Sequence, residues 1–95
     1  MLIRRDDLDR IAKGEIDLAF RRWRRPTVKP GGTLRTAVGV LAIDAVDEVD
    51  ERAITTRAAR RAGFASRDDA LAALDGRRGT LYRIRLHSAG PDQRR

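Results

Sequence analysis

Residues 21–35 read RRWRRPTVKPGGTLR, and their types and spacing point to one kind of chemistry. Arg21, Arg22, Arg24, Arg25, Lys29 and Arg35 bring six positive charges into one short segment with no acid among them, and the only tryptophan, Trp23, stands between two arginine pairs. Guanidinium and ammonium groups neutralise phosphates, and an indole face gives a nucleobase a stacking surface worth about 1–3 kcal/mol. Together they suit a polyanion, and RNA with single-stranded or structured regions before others. A plainer arrangement competes: arginines in water or paired with Asp44 and Asp47, and Trp23 folded inward as core. The charge distribution favours the first. The rest of the chain holds fifteen bases against fourteen acids, so nearly all of the net charge of +7 comes from this segment. That nineteen of the twenty-one bases are Arg, with no Asn in the chain, is what a GC-rich genome produces and carries no weight.

Other chemistry is thinly supplied. Arg83 and Arg85 share one face of a candidate strand and extend the positive patch if that strand lies beside the one carrying Arg21. Without cysteine there are no disulfides and no thiolate metal sites, and His87 is the only imidazole. The acidic run Asp44, Asp47, Glu48, Asp50 and Glu51 fits no calcium loop, so it reads as a solvated turn, and neither a metal nor a cofactor is expected. Thr27, Thr33 and Thr36 can reach a phosphate but more often bond backbone. Lys13 ends a helix, where the dipole alone accounts for it.

The elements that must position these residues follow from periodicity and stop signals. Leu8, Ile11 and Ala12 at helical spacing predict a short helix over 4–13, stopped by Gly14. Ile16, Leu18 and Phe20 alternate with Asp17, Ala19 and Arg21, a half-buried strand running into the basic segment, which Pro26, Pro30, Gly31 and Gly32 break into a loop. Residues 34–46 predict one long strand, bent near Gly39. Thr55 or Thr56 caps a helix ending at Gly63, and Ser66, with Asp69 three residues on, opens another that stops at Gly76. Residues 80–87 predict a last strand with Tyr82, Ile84 and Leu86 on one face. Three strands, one long and bent, bury a core by curling into a small barrel plugged by the helices.

Length and composition agree with one small domain over residues 1–88 and a frayed tail over 89–95. The chain has no apolar run of membrane-spanning length and no signal-peptide pattern, so the expectation is a cytoplasmic protein with no membrane partner. Its oligomeric state is open.

The order of elements, together with Gly14, Arg21, the turn Lys29-Pro30-Gly31-Gly32, Gly39 and the pair Gly63-Phe64, resembles the ASCH family over roughly residues 3–87. The resemblance implies an α+β fold, a small PUA-like β-barrel with flanking short helices, associated with RNA. One branch of that family removes the acetyl group from acetylated cytidine with a Lys, a Thr and a Glu. The matching positions here are Ile16, Ala19 and Ala62, apolar at all three. Amide hydrolysis without a metal needs an activated nucleophile, so this departure argues against that reaction and no catalytic residue is assigned. Three functions remain open. They are RNA binding through a cleft formed by residues 21–35; an enzyme, either a nucleoside amidohydrolase or a ribonuclease with Asp17 or Glu15 as base; and a protein-interaction module for an acidic partner.

Overall fold

The computed structural model describes residues 3–37 and 39–90. Helix α1 (Arg5–Ala12) leads into strand β1 (Leu18–Trp23). The basic loop then reaches β2 (Thr33–Thr36), which pairs antiparallel with β3 (Gly39–Glu48). A 3-10 turn (Glu51–Ala53) and helices α2 (Thr56–Arg61) and α3 (Arg67–Leu74) precede β4 (Thr80–Gly90). The strands form one antiparallel sheet in the order β1-β4-β3-β2, curled into a half-barrel.

The single bent strand expected over residues 34–46 is in fact a hairpin. β2 ends at Thr36, β3 starts at Gly39, and the Thr36 hydroxyl donates to the Gly39 carbonyl at 2.8 Å. The pairing of β3 with β4 is irregular at two places, between Val40 and Leu41, where Ala89 of β4 is the extra residue, and between Ile43 and Ala45. The second leaves Asp44 as an extra residue and reverses the parity of the strand. Leu41 and Ile43 therefore share a core face with Val46 rather than with Ala45. β4 also runs further than expected: Ala89 and Gly90 belong to it, and the rest of the expected tail, residues 91–95, lies outside the described residues.

Both faces of the sheet are covered. On the inner face Ala19, Leu41, Ile43, Ile84 and Leu86 pack with Leu8 and Ile11 of α1 and with Ile16. On the outer face Leu18, Phe20 and Leu81 pack with Ile54, Ala59 of α2, and Ala70 and Leu74 of α3. β1 is thus buried on both sides at Leu18, Ala19 and Phe20, not half-buried as its alternation suggested. Each fully buried large side chain, such as Ile54 or Ile84, contributes on the order of 1.5–3 kcal/mol. The outer helices start on side-chain caps: Thr55 Oγ1 accepts from Ala58 N at 3.0 Å, and Ser66 Oγ from Asp69 N at 3.1 Å.

β1 and β2 are opposite edges of the sheet, so the basic loop must cross it. Val28, buried in the inner core with Leu41 and Ile43, anchors the crossing. Lys29-Pro30-Gly31-Gly32 is a tight turn, with Gly32 N donating to Lys29 O at 3.0 Å. Gly31 has φ +80°, and proline ahead of such a residue makes it a type II turn. Gly31 N donates to Ile43 O at 2.7 Å and Ile43 N to Gly32 O at 2.9 Å, tying the turn to β3.

Candidate nucleic-acid interface

The antiparallel register decides which bases meet. Arg21 lies opposite Tyr82 and Trp23 opposite Thr80, with Ala19 opposite Ile84 on the same inner face. Arg22, opposite Leu81, faces outward, and so do Arg83, opposite Phe20, and Arg85, opposite Leu18. The expected cleft formed by residues 21–35 is therefore divided. β4 does neighbour β1, but strand alternation puts Arg83 and Arg85 on the opposite face from Arg21 and Trp23, so they do not extend that patch. Arg22 is engaged on the outer face, its Nη2 3.2 Å from Glu51 Oε1 and its Nη1 donating to Gly79 O at 3.4 Å. Arg35 lies on the far edge strand, in register with Val40, which pairs with Gly90. Thr80, beside Trp23, and Gly90 are the opposite ends of β4, so Arg35 lies at the far end of the sheet from Trp23 as well as on its other edge. Lys29 is exposed on the type II turn, partway along the crossing.

What the structure does bring together is the corner where β1 ends and β4 begins. Trp23 is half-buried, packed against the inner core, with its ring centroid 6.0 Å from that of Tyr82 and the planes inclined by 35°. The two alternatives for Trp23 are both partly realised, because one side of the ring joins the core while the residue keeps exposed surface. Arg21 is partly buried beside it, its Nη1 donating to Phe20 O at 2.8 Å. Burial draws its pKa below the ordinary arginine value, attraction to Asp7 opposes this, and repulsion from Arg77 adds to it. A guanidinium stays charged through such a change. Arg24 and Arg25 follow on exposed loop and make no side-chain hydrogen bond or ion pair within the described residues.

Sequence reasoning missed the second strand's contribution to this corner. Arg77 and Arg78 are exposed immediately before β4, where Gly79 packs against the end of β1, and Arg77 also lines a groove with Arg22 and Glu51. A Cβ at Gly79 would stand 2.5 Å from the Trp23 carbonyl carbon and 2.9 Å from Arg24 N, and φ there is +111°. The signal was present as the run Gly76-Arg77-Arg78-Gly79, but its place beside Trp23 depends on the pairing of β1 with β4.

The three positions matched to the deacetylating enzymes hold no reactive group. Ile16 and Ala19 are buried in the inner core, and Ile16 Cδ1 reaches to where a Cβ on Gly63 would stand, 2.7 Å away. Ala62 packs against the outer core. Asp17, a candidate base for a nuclease, accepts from Arg61 Nε at 2.9 Å and Nη2 at 2.8 Å. That hydrogen-bonded pair holds its carboxyl below the usual carboxylate range, which makes it a weaker proton acceptor. His87 Nδ1 lies 2.7 Å from Asp44 Oδ2 at the bulge, and among the described residues no three potential metal ligands converge. No helix among the described residues is long and apolar enough to cross a membrane.

Comparison with protein-family models, with curated proteins and with solved structures found no match to this chain.

Proposed function

We propose that the protein binds RNA through the Trp23 corner, as an ASCH-type, PUA-like domain without hydrolytic activity. The observation that carries this reading is that Arg21, Arg24, Arg25, Arg77 and Arg78 fall at the adjoining ends of β1 and β4, the corner where Trp23 is braced by Tyr82. Arginines in the segments that flank an aromatic surface suit a single strand, whose phosphates take the charges while one base stacks. Phosphate contacts fix position without reading sequence, so affinity for mixed-sequence RNA in the micromolar range or weaker is expected. The curled antiparallel sheet and the Gly63-Phe64 connection against Ile16 support the finer family reading.

The test is binding of a mixed-sequence single-stranded RNA to the parent and to Arg24→Ala/Arg25→Ala. The double variant should bind all sequences more weakly and with a shallower dependence on salt. Equal affinity in the two proteins would remove the corner from the account. Tight binding that depends on an acidic protein, with none to RNA, would favour the interaction-module alternative.

A further inference from the structure

On the outer face, away from the corner, a groove of about 510 Å³ runs between α2 and the outward surface of β1 and β4. Four guanidiniums line it: Arg57 and Arg61 from α2, and Arg83 and Arg85 from β4, with Leu18 and Ala58 contributing apolar wall. The convergence follows from two periodicities, four residues apart on a helix and two apart on a strand.

Only part of this charge is answered within the protein. Arg61 is bound to Asp17, and Arg83 Nη2 sits 3.4 Å from Asp47 Oδ2. Arg57 and Arg85 form no side-chain hydrogen bond or ion pair within the described residues, although Arg85 is attracted to Asp17 at longer range. Arg83 Nε is shielded from solvent and finds no hydrogen-bond partner. That atom is closed to the groove as well as to water, so a ligand there is met by the accessible guanidinium nitrogens. Four cations against the two carboxylates that contact them leave a local surplus of two positive charges, which matches one phosphate monoester of close to two negative charges or two neighbouring phosphodiesters of one each. Planar guanidinium donors also suit phosphate oxygens geometrically.

We propose that this groove is a second anion site that binds a phosphate group, carried by a free nucleotide or by a nucleic-acid strand, independently of the Trp23 corner. Arg57 and Arg85, one from each wall of the groove, donate to the phosphate oxygens, while Arg61 and Arg83 add positive charge from their places beside Asp17 and Asp47.

Arginine Nε–H resonances of the full-length 15N-labelled protein read the site directly. Titration with uridine 5′-monophosphate and, separately, with a ten-nucleotide oligouridylate should give a saturable shift of the Nε–H signals of the groove arginines, Arg61 among them, which remains as a reporter when Arg57 and Arg85 are replaced. In Arg57→Ala/Arg85→Ala, whose fold is checked by circular dichroism, affinity should fall by about tenfold or more, because charge-assisted hydrogen bonds are lost. In Arg24→Ala/Arg25→Ala the mononucleotide should bind as in the parent, which separates this site from the corner. Comparable affinity for the two ligands identifies a free nucleotide as the source, and much tighter binding of the oligomer identifies a strand. No saturable shift with either ligand would overturn the proposal. So would unchanged affinity in Arg57→Ala/Arg85→Ala, or an equal shift produced by chloride at the same ionic strength.

Discussion

Trp23 and Tyr82 form a diagonal pair on the inner face of two adjacent strands, their ring centroids 6.0 Å apart. Tyr82 lies directly opposite Arg21, so the same cross-strand step that braces the indole also sets a guanidinium beside it. Stability and binding therefore share a residue, and substitutions at Trp23 must be read for both.

Trp23→Ala should lower the free energy of unfolding by about 1.5–3 kcal/mol, short of the roughly 3–5 kcal/mol of a fully buried tryptophan, because the residue is only half-buried. Trp23→Phe keeps an aromatic partner for Tyr82 and should cost less than about 1.5 kcal/mol. Urea denaturation of the three proteins gives the comparison. A negligible loss in Trp23→Ala would show that the ring contributes nothing to the inner core.

Gly79 is the hinge of the corner. A methyl group there meets the Trp23 and Arg24 backbone, at a φ of +111° that side chains rarely adopt. Gly79→Ala should destabilise the fold by about 2 kcal/mol or more, which thermal unfolding will register. Gly76→Ala, with φ +76° but open space around it, should cost less. A Gly79→Ala protein as stable as the parent would contradict the close approach of β1 and the loop before β4.

The Asp17–Arg61 pair should mark the acid limb of stability. The pair lowers the folded-state pKa of Asp17 beneath its ordinary value of 3.8, chiefly through the hydrogen bond from Arg61. Its contribution is accordingly present above pH 3.8 and is lost as pH falls through the lower folded value. With both side chains nearly half exposed, the worth at neutral pH is about 0.5–1 kcal/mol. Asp17→Asn should differ from the parent by that amount at pH 7 and converge with it toward pH 2–3, as measured by denaturation across pH. A gap that stays constant down to acid would mean the pair is not the cause.

Purified protein should release no acetate from acetylated cytidine, since Ile16 and Ala19 are buried apolar residues and Ala62 supplies no carboxylate. Steady release abolished by a point substitution in the cleft would reveal a different set of reacting residues.

Much of the secondary structure was legible from local signals. The caps at Thr55 and Ser66 could be read because a hydroxyl before an apolar period satisfies helix N–H groups whatever surrounds it. The β2–β3 reversal was hidden because residues 34–46 look uniformly strand-like, with Gly39 as their one interruption. The candidate site was legible only as composition. Charge concentration in residues 21–35 is a property of the sequence, but which charges share a surface is a property of register. Arg22 and Arg35 left the group because of strand alternation and the loop crossing, while Arg77 and Arg78 entered it through a pairing between residues more than fifty positions apart. Nothing local to Arg77 announces that partnership.

The sole tryptophan is also the most direct probe of RNA binding at the corner. Emission of Trp23, followed during titration with single-stranded RNA at a series of salt concentrations, should be quenched by base stacking in a saturable way. Each phosphate neutralised on a single strand contributes about −0.7 to the slope of log affinity against log salt, so four or five contacts at the corner predict a slope on the order of −3. Substituting Arg24, Arg25, Arg77 and Arg78 together by alanine should bring that slope to about −1 or shallower while the fold is retained. Binding that leaves Trp23 emission unchanged, or an affinity flat across the salt series, would contradict the account.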